Sequence, residues 1–130
     1  MGHESLIIKP VEAGQVQFHD MGAIKKLGAA MKYLDNSLYE EANTRIIVRK
    51  LDGKSVNQEK YMNPHAHDVN QIYLLIGDPG ELAFEIHLDD EVYKVESPGT
   101  VFIPAGVKHW EKYLHGKGYI ATILSKGTYP

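Results

Sequence analysis

The sequence predicts an all-β protein, an antiparallel sandwich or barrel, and three observations support this prediction. From residue 44 onward, short runs rich in β-branched and aromatic residues recur along the chain. Turn-forming sequences such as Asp52-Gly53 and Asp89-Asp90 separate these runs. The chain has 130 residues, of which 43% are hydrophobic and 24% charged, the usual size and composition of one globular domain.

The composition excludes several kinds of site and partner. There is no cysteine, so disulfides, thiolate ligands and cysteine nucleophiles are excluded, and a transition metal must bind to histidine, carboxylate or amide groups. The net charge is −3 and no run of lysine or arginine stands out, so we expect no nucleic-acid partner. Apolar runs such as 72–76 are far shorter than the ~20 residues of a membrane span, so we expect no membrane contact and a cytoplasmic protein.

The first 43 residues differ in character from the rest of the chain, and we expect them to form an N-terminal arm. With Asp20 as the N-cap, the pattern predicts a helix near residues 20–35. We therefore divide the chain into an arm and helix at 1–43 and a barrel at 44–130, on which the arm packs as part of one structural domain. The apolar residues at helical spacing are Ile24, Leu27, Met31 and Leu34.

Four strands are predicted in the first half of the barrel, at 44–51, 71–76, 82–88 and 91–95. The first is rich in β-branched residues and ends at Asp52-Gly53, which is a hairpin signal. The second is closed by the turn sequence Gly77-Asp78-Pro79-Gly80. Asp89-Asp90 connects the third and fourth strands as a second hairpin.

Three further strands are predicted at 100–103, 110–114 and 119–124. Ser97-Pro98-Gly99 forms the turn before the first of them, and Pro104 ends it. Gly116-Lys117-Gly118 separates the last two strands. Short strands at this spacing are typical of an antiparallel sandwich or barrel.

Three of the seven histidines form a pattern that points to metal binding. His65 and His67 are two residues apart, so in a strand their side chains lie on one face. Continued along a regular strand, the same alternation places Gln71 and Tyr73 on that face. His109 follows a tight turn whose proline and glycine can set its direction. Three imidazoles and one oxygen suit Fe, Mn, Ni, Co, Cu or Zn.

Two motifs in the chain resemble those of the cupin superfamily. The first, at 64–77, is His-x-His followed four residues later by Gln71, in the place of the usual glutamate, and then by a glycine. The second, at 99–109, is a glycine, a short apolar run, Pro-x-Gly and then His109. The asparagine that the family has a few residues later is absent, and Tyr113 stands near that position.

The resemblance covers 45–124 and implies a double-stranded β-helix, or jelly-roll barrel, with one divalent metal ion in its mouth. The implied ion is Zn, Fe, Mn or Ni. Because Gln71 is neutral where glutamate would be charged, we expect weaker metal affinity and stronger attraction for an anionic substrate. Small cupins commonly form dimers through N-terminal strands or arms, so we expect a homodimer. The expected metal ligands are His65, His67, Gln71 and His109; the alternative is that Gln71 lies near the ion without binding it directly.

Several neighbouring side chains have two interpretations each. Tyr73 faces the cavity, where its phenol acts in catalysis as a hydrogen-bond donor, or it packs in the core. Trp110 and Tyr113 line the pocket or simply pack, and packing is favoured. Arg45 and Arg49 share one face of an early strand, and we expect that face to be solvated.

Strand 82–88 has two possible registers. If Phe84 and Ile86 face inward, Glu85 and His87 point to solvent, which is the favoured register. The opposite register would add a carboxylate and an imidazole to the cavity.

The functional hypothesis is a metal-dependent cupin that acts on a small, oxygen-rich, anionic metabolite by Lewis-acid chemistry of the isomerase or lyase type. One alternative is an Fe(II)-dependent dioxygenase of the cupin type. The other is a cupin that binds a small ligand without catalysis. Gln71 favours the first hypothesis, but fold does not determine function.

Overall fold

The computed structural model describes residues 2–13, 30–53 and 65–126. Within these ranges the protein is all-β apart from a short 3-10 turn at Glu4–Leu6, and no helix there is long and apolar enough to cross a membrane. The strands, in chain order, are β1 (Val11–Glu12), β2 (Ala30–Leu34), β3 (Arg45–Asp52), β4 (Gln71–Ile76), β5 (Leu82–Leu88), β6 (Glu91–Glu96), β7 (Gly99–Ile103) and β8 (His109–Leu124).

Two sheets share the long strand β8. The larger sheet has the strand order β1-β2-β3-β8-β4-β7, and its neighbouring strands are antiparallel. In the smaller sheet β5 pairs with β6 on one side and with the first half of β8 on the other. The second half of β8 lies between β3 and β4. Because β8 passes from one sheet into the other, it joins the two sheets around a common interior.

Two glycines allow β8 to change sheets. Gly116 and Gly118 have φ angles of +101° and +144°, which residues with a Cβ rarely adopt. A Cβ on Gly116 would overlap the carbonyl oxygen of Glu81, and one on Gly118 would overlap that of Ile76. The prediction of two strands separated by a turn is therefore wrong, because these glycines bend one continuous strand where other backbone comes close.

The core lies between the two sheets. Phe84 of β5 and Tyr113 of β8 pack edge to face there, with ring centroids 5.7 Å apart. The Tyr113 hydroxyl donates a hydrogen bond of 2.7 Å to the carbonyl of Gly116. Residues of both sheets contribute to one buried cluster: Leu51, Tyr73, Leu75, Leu82, Phe84, Ile86, Val101, Ile103, Tyr113 and Ile120.

The strand predictions for 44–103 are confirmed. The observed strands β3 to β7 begin and end within one residue of the predicted limits. Asp89 has a φ angle of +54° in the two-residue loop that joins β5 to β6, as expected for a tight hairpin turn. The hairpin expected at Asp52-Gly53 leads into residues 54–64, which lie outside the described residues.

The helix predicted near residues 20–35 is wrong in the part that the structure describes. Residues 30–34 form β2, which pairs with β1 and β3. Met31 and Leu34 are three residues apart, a spacing typical of a helix, but a β-bulge between Lys32 and Leu34 accounts for it. Because of the bulge, Met31 and Leu34 pair with Val48 and Ile46, which lie on one face of β3. Residues 20–29 lie outside the described residues.

Candidate metal centre

Strand β4 directs alternate side chains into the interior. Gln71, Tyr73 and Leu75 are buried, with at most 3% of each exposed, whereas Ile76 is 48% exposed. The alternation predicted from the sequence is confirmed here, since Gln71 and Tyr73 share the inner face.

His65, His67 and His109 meet in the same interior. Their ring centroids are 4.9 Å apart for His65 and His67, 4.6 Å for His65 and His109, and 5.1 Å for His67 and His109. One nitrogen of each ring lies within 4.8 Å of the other two. All three side chains are buried. The structure thus brings together the three histidines of the sequence pattern, close enough for a single ion to lie among them.

Backbone hydrogen bonds hold the two histidine segments together. The His65 amide donates to the His109 carbonyl at 3.2 Å, and the His109 amide donates to the His65 carbonyl at 2.8 Å. The amide of Gly106, in the loop before β8, donates to the carbonyl of His67 at 2.8 Å. Gly106 has a φ angle of +88°, which favours glycine at this turn. Backbone hydrogen bonds therefore set the relative position of the two segments that carry the imidazoles.

The protonation and direction of His109 suit a metal ligand. Its Nδ1–H donates to the Val107 carbonyl at 3.0 Å, so Nε2 carries the free lone pair. Burial, against the opposing effect of the Val107 hydrogen bond and with a smaller contribution from the neighbouring His65, lowers the pKa of His109 to about 4. The ring is thus neutral near pH 7. Nε2 is buried and has no hydrogen-bond partner among the described residues. A buried acceptor without a partner costs free energy, and binding to a metal ion would remove that cost.

A carboxyl group that the sequence had not indicated lies in the same interior. Glu111 is two residues after His109 on β8 and shares its face. The Tyr73 hydroxyl donates a hydrogen bond to its carboxylate, and the Tyr73 and His109 rings are 6.3 Å apart. Burial raises the pKa of Glu111 to about 7, although Tyr73 and Arg49 oppose the rise. The alternation after His109 was the signal that could have identified this residue.

The two arginines of β3 also lie on the inner face, contrary to the expectation of a solvated face. Arg49 is the register partner of Ile120 in β8. Ile120 is in turn the register partner of Leu75 in β4, and both Ile120 and Leu75 are buried. Arg45 and Leu51 have the same alternation as Arg49, and Leu51 is only 1% exposed. Sequence alone left the direction open, because the strand has apolar residues at both alternating sets of positions.

The remaining candidates pack on the outer face of the smaller sheet or, in the case of Tyr113, in the core. Glu85 and His87 are on the outer face of β5 and hydrogen bond to each other at 2.7 Å, as the favoured register predicted. His87 stacks on Trp110 with ring centroids 3.8 Å apart. Trp110 and Tyr113 pack against or within the core, so the packing interpretation is confirmed for both.

Comparison with curated proteins gives one informative sequence relative. The chain is 28% identical over 90 residues to the acireductone dioxygenase of Pseudomonas fluorescens (strain Pf0-1). The match covers 65% of this chain and 49% of that protein, so the chain spans about half the length of the relative. No protein-family model matches the chain.

Solved structures share this architecture over most of the chain at low sequence identity. KdgF from Halomonas sp. is similar with a TM-score of 0.55 and 16% identity, covering 77% of this chain and 80% of that one. A cupin-like protein from Thermotoga maritima gives 0.55 and 13%, covering 78% and 71%. Oxalate decarboxylase from Bacillus subtilis, studied for its Mn(II) centres, gives 0.60 and 14%, covering 94% and 29%. The chain therefore has the cupin fold that its motifs implied.

Proposed function

We propose that this cupin-fold protein is a metal-dependent enzyme that acts on a small, oxygen-rich, anionic metabolite by isomerase- or lyase-type chemistry. The observation that carries the proposal is the buried cluster of His65, His67 and His109, whose nitrogens lie within 4.8 Å of one another. These residues would hold one divalent ion, Zn, Mn, Ni or Fe, with the amide oxygen of Gln71 as a fourth ligand. Such an ion, when bound, supplies Lewis-acid polarisation of a carbonyl or enolate oxygen.

The neutral character of the ligands supports the preference for an anion. The proposed set of three imidazoles and one amide carries no charge, because the low pKa of His109 keeps that ring neutral near pH 7. The two positive charges of a divalent ion therefore remain uncompensated by its ligands. Since electrostatic attraction is strong in a buried site, a carboxylate or enediolate binds better there than a neutral molecule of the same size.

Tyr73 is the residue that we assign to proton movement. Its hydroxyl is held by the Glu111 carboxylate, and its ring lies 6.3 Å from that of His109, so the phenol is close to the proposed ligands. When Glu111 is protonated, which its raised pKa of about 7 allows, its carboxyl can donate to the phenol oxygen, and the phenol O–H can then donate to a substrate oxygen and exchange its proton with it. Tyr73 itself is buried, with 1% of its surface exposed, and belongs to the core cluster.

A second candidate is an Fe(II)-dependent dioxygenase of the cupin type. The sequence similarity to the acireductone dioxygenase favours it, although it is confined to about half of that protein. The same three histidines would hold the iron. This candidate shares the metal centre with the first proposal and differs from it in the need for O₂.

Loading the protein with different metals separates the two candidates. Protein without a polyhistidine tag is stripped of metal, loaded in turn with Zn, Mn, Ni or Fe(II), and screened against small hydroxy acids, keto acids and diketones. The first proposal expects turnover without O₂ with at least one redox-inert ion. Turnover that requires both Fe(II) and O₂ would establish the dioxygenase instead, and metal binding without any turnover would favour a ligand-binding role.

A further inference from the structure

The larger sheet is apolar on both of its faces. In β4 the inner side chains line the core and the candidate site, and the outer side chains, Ile72, Leu74 and Ile76, are apolar as well. An antiparallel sheet with one solvated face normally alternates apolar and polar residues. The composition of β4 therefore suits a strand that is covered on its outer side too.

Strand register extends this apolar surface across five strands. Directly opposed residues of paired strands project to one face of a sheet. The register of β2, β3, β8, β4 and β7 places five apolar side chains in one outward row: Leu34, Ile46, Ile123, Ile72 and Phe102.

A second row lies beside the first, two residues along each strand. It contains four apolar side chains and one threonine: Met31, Val48, Ala121, Leu74 and Thr100. Neither row contains a charged residue. We call these two rows, extended by the paired residues Tyr119 and Ile76, the outer apolar face.

No described strand covers the outer apolar face. Ile76, Phe102 and Tyr119 have 48%, 56% and 43% of their surface exposed, and the more central Ile72 and Leu74 are partly exposed. The described strands outside this sheet, β5 and β6, belong to the smaller sheet on the other side of the core. The face is therefore available to a partner as far as the described strands are concerned.

The size of the outer apolar face suits a protein interface. Five strands about 4.8 Å apart and rows about 7 Å apart give a flat area of roughly 400–500 Å², and the accessible area of a corrugated surface of side chains is larger. That is more than the few hundred Å² that a soluble monomer usually leaves uncovered. It approaches the ~800 Å² that each partner buries in a stable complex.

The distribution of charge favours a second copy of this chain as the partner. A symmetric dimer places a surface against itself, so a block of like charges would repel its own copy. The two central rows contain no charge, and both signs occur at the borders, with Glu12 beside Met31 and Lys50 beside Tyr119. A strongly apolar centre is also typical of homodimers rather than of transient complexes.

We propose that the outer apolar face packs against the same face of a second copy, as two aligned sheets in a symmetric dimer. This interface differs from the N-terminal strands or arms that the resemblance implies, and it does not depend on the metal centre. In the dimer β4 is buried on both sides. The strand that carries Gln71 and Tyr73 is then held between the core and the partner.

Substitutions on the face test the dimer by sedimentation velocity over a series of protein concentrations. The wild type should sediment as a dimer at micromolar concentrations. L74E and F102E should each raise the dissociation constant at least about a hundred-fold, because a carboxylate would be buried in an apolar interface. Phe102 is more than half exposed in the single chain, so F102E keeps the monomer fold even if L74E does not.

Two exposed apolar residues elsewhere provide matched controls. Val92 on β6 is 54% exposed and Ile7 in the N-terminal segment is 84% exposed. V92E and I7E add the same charge outside the outer apolar face, so both should remain dimers. Circular dichroism shows that every variant is folded.

Three results would overturn this interface. The first is a wild type that stays monomeric at every concentration, and the second is a dimer that F102E and a folded L74E leave intact. The third is a dimer that I7E dissociates and F102E does not, which would place the interface at the N-terminal segment instead. None of these results bears on the metal content of the protein, so the proposed function is judged separately.

Discussion

At the scale of single residues, His109 connects the two halves of the candidate site. Its backbone exchanges two hydrogen bonds with His65, and its Nδ1–H is held by the Val107 carbonyl. Only Nε2 is left to face the other imidazoles. The ring is thus oriented before any ligand binds, which reduces the entropy that metal binding must overcome.

Gln71 is the proposed ligand whose charge is easiest to change. We expect Q71E to raise metal affinity by about ten-fold or more, because the carboxylate adds a negative charge beside the ion. The same variant should bind an α-hydroxycarboxylate such as lactate more weakly, because the added carboxylate reduces the positive charge that attracts an anion. Competition with a chromogenic chelator measures the metal affinity.

The neighbouring amide gives a matched control for this variant. Asn70 is exposed, and its side-chain oxygen accepts a hydrogen bond from the Ala105 amide, which N70D retains. N70D therefore adds the same charge outside the interior. Equal changes of metal affinity in Q71E and N70D would contradict the placement of Gln71 at the metal.

Glu111 should make the metal-free protein less stable as the pH rises. Its pKa is about 7 in the folded state and 4.5 ordinarily, so the folded state binds more protons than the unfolded state between these values and loses stability as pH rises. His109, with a folded pKa of about 4 against 6.5, has the opposite effect between those two values. The two contributions partly cancel in the wild-type protein.

E111Q removes the contribution of Glu111 to the pH dependence of stability, so that the contribution of His109 can be measured without it. Relative to the wild type, metal-free E111Q should gain on the order of 2–3 kcal/mol of stability between pH 4.5 and 7, which urea denaturation in the presence of a chelator measures. E96Q, on the exposed strand β6, should follow the wild-type curve. Parallel curves for E111Q and the wild type would show that Glu111 is not held in its neutral form.

At the scale of elements, β8 depends on the glycines at its bend. G116A should destabilise the protein by several kcal/mol or prevent folding, since the new Cβ would overlap the Glu81 backbone as well as strain the φ angle of +101°. G80A is the matched control, with a φ angle of +74° and its nearest contact, a flexible Glu96 oxygen, at 3.4 Å. It should cost only about 1–2 kcal/mol. Similar thermal shifts in the two variants would contradict the backbone contact.

Some of the strands could be predicted from local sequence patterns alone, and others could not. β4, β5 and β6 were predictable because hydrophobic alternation and the turn residues around them agree. β2 was not predictable, because the bulge gives Met31 and Leu34 a three-residue spacing that imitates a helix. The bend in β8 was mistaken for a turn, since a glycine required by a neighbouring backbone looks in sequence like a glycine that ends a strand.

At the scale of the whole molecule, the candidate site divides into a predictable and an unpredictable part. The histidines and Gln71 follow from spacing within short segments and from the resemblance to cupin motifs. The inward direction of Arg45 and Arg49 does not, because it depends on how β3 pairs with β8, more than 60 residues later in the chain. Register between distant strands is a property of the complete barrel rather than of any segment.

Two expectations about the whole molecule remain predictions. One is the division into an arm at 1–43 and a barrel at 44–130, although β1 and β2 do extend the sheet beside β3. The other is the homodimer, which sedimentation velocity tests directly.

The most direct test of the metal centre is the metal content of tag-free protein after reconstitution, measured by elemental mass spectrometry. We predict about one ion per chain in the wild type, as expected for a single three-histidine centre. H109A should lose the ion while circular dichroism still shows a folded barrel, and H87A, which removes an outward-facing histidine, should keep it. A wild-type protein that binds none of the four ions, or full retention in H109A, would contradict the assignment of His65, His67 and His109 as ligands.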